Sequence, residues 1–365
     1  MDENVRPGDT RVALIGFGYA GRVIHAPLIS ATPGLVLSVV GSRQREQVRL
    51  AYPHVEVLAD PLFAVRHPDV DLVVIATPND THASLAAAAI RAGRHVVVDK
   101  PFTVTLADAR SLAGAASDSG RVLSVFQNRR WDSDFLGLTE ALATASIGDI
   151  VELRSEISRY RPQVRDRWRE HNVPGGGLWY DLGPHLIDQA LLLFGPPQTI
   201  LADLQIQRGG ASAVDWFHAI LGYARTRVIL ASSMLAADPS TRFLARGTKG
   251  SLVKRGSDRQ EQQLVRGQKP GSAGWGEDPD PVLRIAAEDA APTEIAAPPG
   301  NYPRYYEAIR DAIRTKGAPP VTPAQATTVM AVIEAGIKSS REHHLVSPEY
   351  SDAERLAWNP IAATL

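Results

Sequence analysis

The chain has 365 residues, long enough for two domains of ordinary size. With 44% hydrophobic and 22% charged residues and a formal net charge of -1, it reads as a soluble globular protein with no general attraction to nucleic acid or an acidic membrane surface. The absence of cysteine excludes disulfide scaffolding, thiolate catalysis and cysteine-ligated zinc or iron–sulfur centres.

The opening residues are polar and lack the apolar run of a secretory signal. No later stretch is long and apolar enough to span a bilayer, so the expected compartment is the cytoplasm. Strands are expected at 11–16, 35–41, 71–76, 94–98 and 122–126, with helices at 19–30, 81–92 and 106–119 between them. Near-continuous apolar strands separated by helices predict a parallel, doubly wound α/β sheet. After about residue 130 the pattern changes. A helix is expected at 132–145, an alternating strand at 150–160 and a strong helix running to 194. Strands at 200–207, 216–223, 227–234 and 243–246 then follow one another without helices, which predicts an α+β domain with a large, mainly antiparallel sheet. Residues 256–300, rich in Gly, Pro, Asp and Gln, read mostly as loop with a short strand near 282–286. Helices at 302–314 and 324–341 close the chain. The expected division is a dinucleotide-binding domain over 1–130 and a substrate-binding and oligomerisation domain over 131–365, whose last helix can pack back on the first.

Directly after the first strand stands Gly16-Phe17-Gly18-Tyr19-Ala20-Gly21, a GxGxxG turn with a strand before it and a helix after it. Gly16 permits the tight turn, Gly18 the close approach of a diphosphate, and Gly21 close helix–strand packing. The helix N-terminus adds N–H donors and partial positive charge. NAD-binding chains usually place Asp or Glu about 20 residues further on. Here that point reads Val40-Gly41-Ser42-Arg43, with no carboxylate. Ser42 and Arg43 suit a ribose 2′-phosphate, so NADP(H) is expected over NAD. Thr77, Pro78 and Asn79 follow another strand at the ligand edge, with His82 opening the next helix; Asn79 or Asp80 is equally suited to capping that helix.

The strand at 94–98 leads into Asp99-Lys100-Pro101, which sets Lys100 on the glycine turn's edge of the sheet. Asp181 and His185 stand four residues apart after the run Gly175-Gly176-Gly177, on one helical face if Gly183 and Pro184 permit the helix. Hydride removal from a carbinol carbon needs an acceptor for the hydroxyl proton. His185 suits that role, Lys100 suits stabilisation of the oxygen's negative charge, and Asp181 suits holding hydroxyls or the histidine. No metal is required; the adjacent His343 and His344 point to different faces of a helix.

In order and spacing, GFGYAG, ATPND-x-H, DKP and GGGLWYDLGPHLIDQAL resemble the Gfo/Idh/MocA oxidoreductase family over nearly the whole chain. The stretches at 126–135, 158–170 and 260–279 resemble its NADP-dependent scyllo-inositol 2-dehydrogenase subgroup. The resemblance implies a Rossmann domain followed by an open antiparallel sheet that forms a homodimer or homotetramer interface. It implies Lys100, Asp181 and His185 as the catalytic set and a polyol or sugar as substrate, with scyllo-inositol/scyllo-inosose foremost. Asp99 stands where the family usually has Glu, a carboxylate one methylene shorter. Asn128 is implied near the cofactor, and Arg129, Arg130, Trp131, Tyr160 and Trp168 near the substrate cleft. The two arginines either bind hydroxyls or anionic substrate groups or form structural ion pairs between domains, and the aromatic residues either stack on a sugar face or fill core. Two other readings are open: reduction of another ketosugar or oxidation of a diol, and an NADPH-binding sensor without turnover.

Overall fold

A computed structural model describes residues 6–238, 241–286 and 291–361. In chain order the first elements are β1 (Thr10–Ile15), α1 (Ala26–Ala31), β2 (Leu35–Gly41), α2 (Arg45–Ala51), β3 (Glu56–Leu58), α3 (Pro61–Val65), β4 (Leu72–Ile75), α4 (His82–Arg91), β5 (His95–Asp99), α5 (Leu106–Ser119) and β6 (Leu123–Phe126). Then come α6 (Ser133–Thr144), β7 (Ile150–Glu156), α7 (Leu178–Phe194), β8 (Thr199–Gln205), β9 (Trp216–Gly222), β10 (Arg227–Ser233), β11 (Phe243–Gly247) and β12 (Gly250–Lys254). The last are α8 (Gln260–Val265), β13 (Val282–Ala286), β14 (Thr293–Ile295), α9 (Pro303–Thr315), α10 (Pro323–Glu342) and α11 (Asp352–Leu356).

The chain divides into two compact units. The first comprises 1–128, 260–275 and 301–327; the second comprises 129–259, 276–300 and 328–365. The first unit holds a six-stranded parallel sheet in the order β3-β2-β1-β4-β5-β6. The order reverses between β1 and β4, the point where such sheets bind ligands at their carboxyl edge. Covered on both faces, the strands bury Val12 to Ile15, Leu72 to Ile75 and Val96 to Val98 to 0% exposure, which accounts for their unbroken apolar sequence.

The helix expected at 19–30 is π-helical over Ala20–His25, where the Ala26 amide donates to the Gly21 carbonyl, and becomes α-helical as α1. Pro27 supplies the reason: it has no N–H for the ladder, and its ring crowds the carbonyl four residues back. The region 256–300, expected mostly as loop, contains α8 and β14 besides the expected β13. The six-residue α8 is anchored by Gln260, whose buried side-chain carbonyl accepts the Tyr302 amide at 2.7 Å. Tyr19 also donates its hydroxyl to Glu261 at 2.9 Å. The short β3, α2, α3 and α11 carry too little periodicity to stand out in the sequence.

The second unit holds an eight-stranded sheet in the order β14-β13-β12-β11-β7-β10-β9-β8. Every neighbouring pair is antiparallel except β7 with β10. Alternation sets one face: Phe217, Ala219, Leu221, Val228 and Leu230 are fully buried, and α7 packs against β9 and β10. On the opposite face Trp216, His218, Ile220, Ile229 and Ala231 are half-buried. Among the described residues no helix is long and apolar enough to cross a membrane.

Candidate active site

In the first unit, Gly16 follows β1 with φ +96°, and a Cβ there would stand 2.5 Å from the Ala76 carbonyl oxygen. The glycine turn therefore touches the loop after β4, a contact only glycine allows. A Cβ on Gly21 would lie 2.1 Å from the Gly16 carbonyl oxygen, so Gly21 lets the helix close onto the turn. A Cβ on Gly18 would meet nothing within 4 Å. The turn is thus closed by two glycines and opens outward at the third, which is the shape a diphosphate needs beside helix N–H groups. Phe17 is buried and meets the Tyr52 ring edge-on at 6.2 Å, which pins the turn.

At the end of β2 the Ser42 amide donates to the Leu58 carbonyl at 2.8 Å, and the Ser42 hydroxyl accepts the Gln44 amide at 3.0 Å. Arg43 is exposed. In the loop after β4, the Thr77 and Thr81 hydroxyls are 2.6 Å apart and Asn79 is buried. His82 is also fully buried, with Nδ1 2.9 Å from the Pro101 carbonyl and Nε2 3.1 Å from the Thr77 carbonyl. Its ring spans two neighbouring strand ends, so its evident part is to hold the Thr77 loop against the turn at Pro101.

That turn follows β5, and its Lys100–Pro101 peptide is cis. Asp99 folds back so that Oδ1 accepts the Lys100 amide at 2.8 Å and lies 3.8 Å from His25 Nε2. His25 Nδ1 is 2.6 Å from the Tyr306 hydroxyl. Burial, then Tyr305 and Asp99, push the Tyr306 hydroxyl well above its usual range. The phenol therefore keeps its proton, and it shares one hydrogen bond with His25 Nδ1. Sequence reasoning did not find this buried line from α9 to Lys100; His25 and Tyr306 are 281 positions apart.

In the second unit, Gly175 and Gly177 adopt φ +76° and +87°. Gly177 lies against Val214, where a Cβ would come within 3.1 Å of backbone, and the Leu178 amide donates to the Val214 carbonyl at 2.6 Å. The glycine run thus approaches its own chain and launches α7. That helix continues through Gly183 and Pro184, so Asp181 and His185 do share a helical face. Asp181 sits in the first turn, where the helix dipole favours its charge, with side-chain exposure of 24% and Arg169 Nε 3.8 Å away. His185 is buried at 4% exposure.

Arg130 makes a bidentate pair with Asp188 of α7 at 2.8 and 2.7 Å and lies over the Trp358 ring. Arg129 bonds Asp132 at 2.8 Å, and its carbonyl accepts from Gln189. The ion pairs these contacts display, Arg130 with Asp188 and Arg129 with Asp132, lie within the second unit and not between domains as the ion-pair reading expected. Trp131 and Trp168 are half-buried, Tyr160 is 60% exposed, and Asn128 is buried at the end of the first unit's opening segment.

Against known proteins, residues 10–127 match the description "Oxidoreductase family, NAD-binding Rossmann fold", and residues 139–347 match "Oxidoreductase family, C-terminal alpha/beta domain", both of the GFO_IDH_MocA type. The chain is 50% identical to "Uncharacterized oxidoreductase YdgJ" of Escherichia coli, covering 93% of this chain and 98% of that one. It is 36% identical to "scyllo-inositol 2-dehydrogenase (NADP(+)) IolW" of Bacillus subtilis, covering 93% and 96%. A putative oxidoreductase from Klebsiella pneumoniae of known structure superposes with a TM-score of 0.90 at 46% identity, covering 96% of this chain and 98% of that one.

Proposed function

This chain belongs to the Gfo/Idh/MocA oxidoreductase family, and from that premise we propose that it is an NADP(H)-dependent enzyme interconverting a secondary alcohol of a cyclitol or sugar and the corresponding ketone, with scyllo-inositol and scyllo-inosose as the leading pair. The observation that carries this reading lies within the first sheet. Lys100 follows β5, β5 pairs with β4, and the loop after β4 abuts the glycine turn at Ala76. An ammonium and a dinucleotide cradle therefore stand on one edge of the same sheet.

The glycine turn would hold the diphosphate, Thr77, Pro78 and Asn79 the nearby ribose, and Ser42 with Arg43 the 2′-phosphate. When bound, the nicotinamide supplies the hydride acceptor in oxidation and the donor in reduction. Lys100 stabilises negative charge on the carbinol oxygen, and Asp99, through its bond to the Lys100 amide, fixes the backbone from which that lysine projects. His185 takes the hydroxyl proton in oxidation and returns it in reduction. Asp181 accepts hydrogen bonds from the substrate hydroxyls, and Tyr160, Trp131 and Trp168 offer ring faces to the sugar. The name of IolW supports both the cofactor and the cyclitol. The half-buried Trp216, Ile220, Ile229 and Ala231 on the outer face of the eight-stranded sheet support a homodimer or homotetramer joined there. The compartment is the cytoplasm.

The test is a panel of inositols, aldoses and ketosugars with NADP(H) and NAD(H), followed by nicotinamide absorbance. Turnover with NADP and a cyclitol is expected. Lys100→Ala should lower kcat by about 10²-fold or more with cofactor affinity retained. Turnover confined to ketosugars would make the chain a different reductase. Tight cofactor binding with no turnover on any member would make it a sensor.

A further inference from the structure

The segment linking β7 to α7 carries Arg159, Arg161, Arg165, Arg167 and Arg169 against Asp166 and Glu170 alone. Three of these charges are already matched. Arg167 bonds Glu170 at 2.6 Å; Arg169 lies over the Trp168 ring at 4.6 Å and 3.8 Å from Asp181; Asp166 is held by His171 at 2.9 Å. Among the described residues, no carboxylate lies within ion-pairing distance of Arg159, Arg161 or Arg165.

The backbone bearing these three side chains is fixed. The Arg159 and Arg161 amides donate to the Ser233 and Met234 carbonyls at 2.8 and 2.7 Å, and the Ala236 amide donates to the Arg159 carbonyl at 3.2 Å. Arg208, buried and paired with both Glu170 at 3.0 Å and Asp215 at 2.9 Å, also donates to the Arg161 and Gln163 carbonyls. The Arg165 amide donates to Glu170 at 3.0 Å. A buried ion cluster thus holds the loop, while the guanidiniums of Arg159, Arg161 and Arg165 lie beyond ion-pairing distance of any carboxylate among the described residues. Arg161 shows the consequence. Burial, then the like charges of Arg159, Arg165 and Arg167, lower its hold on its proton, and Asp181 pulls the other way.

A half-buried guanidinium crowded by like charges is costly, and a neutral polyol would leave that repulsion in place. A carboxylate or phosphate would relieve it, and the planar fork of arginine matches either group through two parallel hydrogen bonds. Because the loop is already ordered, little conformational entropy opposes such binding.

The structure assigns, we infer, an anion-recognition subsite to Arg159, Arg161 and Arg165 beside Asp181, so that a cyclitol or sugar derivative bearing a carboxylate or phosphate is favoured over its neutral parent. The inference rests on Asp181 as a substrate-binding residue. It is tested with matched pairs, glucuronate against glucose and an inositol monophosphate against myo-inositol. With nicotinamide cofactor saturating, kcat/KM is measured for each, and binding by calorimetry. The anionic member of at least one pair should be favoured by more than tenfold. Arg161→Gln and Arg165→Gln should each cut the anionic-to-neutral ratio by about tenfold, and Arg161→Lys should cut it less. The carboxylate and phosphate pairs distinguish the two sources of negative charge. Anionic binding that is lost in Arg161→Gln but accompanied by no turnover would keep the subsite and overturn the dehydrogenase reading. Neutral polyols turned over with no gain in rate or binding for either anionic member would keep the dehydrogenase and overturn the subsite.

Discussion

Gly18→Ala and Gly21→Ala make a matched pair of perturbations three residues apart. At Gly18 the added methyl meets nothing within 4 Å, and the backbone there lies outside the left-handed region. Stability should hold or rise by up to about 1 kcal/mol, because alanine restricts the unfolded chain. At Gly21 the methyl would sit 2.1 Å from the Gly16 carbonyl oxygen. The helix must withdraw by more than roughly 1 Å to reach ordinary contact, a backbone shift of the kind that costs about 1–3 kcal/mol. Cofactor binding should reverse this order of innocence. The Gly18 methyl fills the space a diphosphate would occupy and should weaken binding by about tenfold to a hundredfold, or roughly 1.4–3 kcal/mol. Thermal melts with calorimetric titration of NADP(H) separate the two effects. A Gly18→Ala protein that is stable and binds cofactor like the parent would refute the placement of the diphosphate. One destabilised as much as Gly21→Ala would refute the open space itself.

Three further outcomes are expected. Ser42→Asp with Arg43→Ile should lower NADP affinity by tenfold or more and favour NAD, since a carboxylate repels the 2′-phosphate and accepts from the free hydroxyl; equal effects on both cofactors would remove these residues from the ribose. Asp134→Asn should destabilise by about 3–5 kcal/mol in denaturant titration, because Asp134 is the ion-pair partner of Arg242, which is 1% exposed, and Arg242 would keep hydrogen bonds to the neutral Ser155 and Gln189 and only the charge of Asp132 beyond ion-pairing distance. A loss below 1 kcal/mol would show that those neutral groups suffice. Burial opposes the Glu170 charge, but bonds from the Arg165 amide, Arg167 and Arg208 hold its carboxyl below the usual range. Its folded pKa is depressed, so its contribution is complete above the unfolded value, about 4.3, and is lost as pH falls through the lower folded value. Acid unfolding should therefore be less steep in Glu170→Gln, and an unchanged profile would contradict the assignment.

The parallel sheet was legible because burial on both faces leaves little choice of residue: β1, β4 and β5 read as apolar runs, and α5 stands at 106–119 as expected. The glycine turn was legible for the same kind of reason, since Gly16 and Gly21 answer backbone constraints that other side chains cannot meet. What escaped depends on distant partners. The six residues of α8 have no periodicity to declare a helix, and their anchor is the Tyr302 amide. The π-helical turn was hidden because the apolar pattern of 19–30 reads as one helix, and the effect of Pro27 inside it falls on the preceding turn. His25 offered nothing local to show that it faces Tyr306 and Asp99. The stretch 158–170 stood out in the sequence only as a resemblance, because which of its arginines are matched depends on Glu170, Arg208 and Asp215 coming together in the fold.

The first unit is discontinuous in sequence, and this bears on how the chain can be made and divided. Tyr305 and Tyr306, contributed by α9, are fully buried against Phe126 at ring distances of 4.8 and 5.8 Å, and Tyr305 donates to Ser124 at 2.9 Å. A ribosome that has released residues 1–128 has therefore not yet supplied the rings that cover β6. The dinucleotide fold must wait, with that strand's apolar surface uncovered, until some 180 further residues have emerged. Cutting the gene at the apparent end of the Rossmann pattern would yield a fragment prone to aggregation, whereas a graft joining 1–128 to α9 would restore the missing cover.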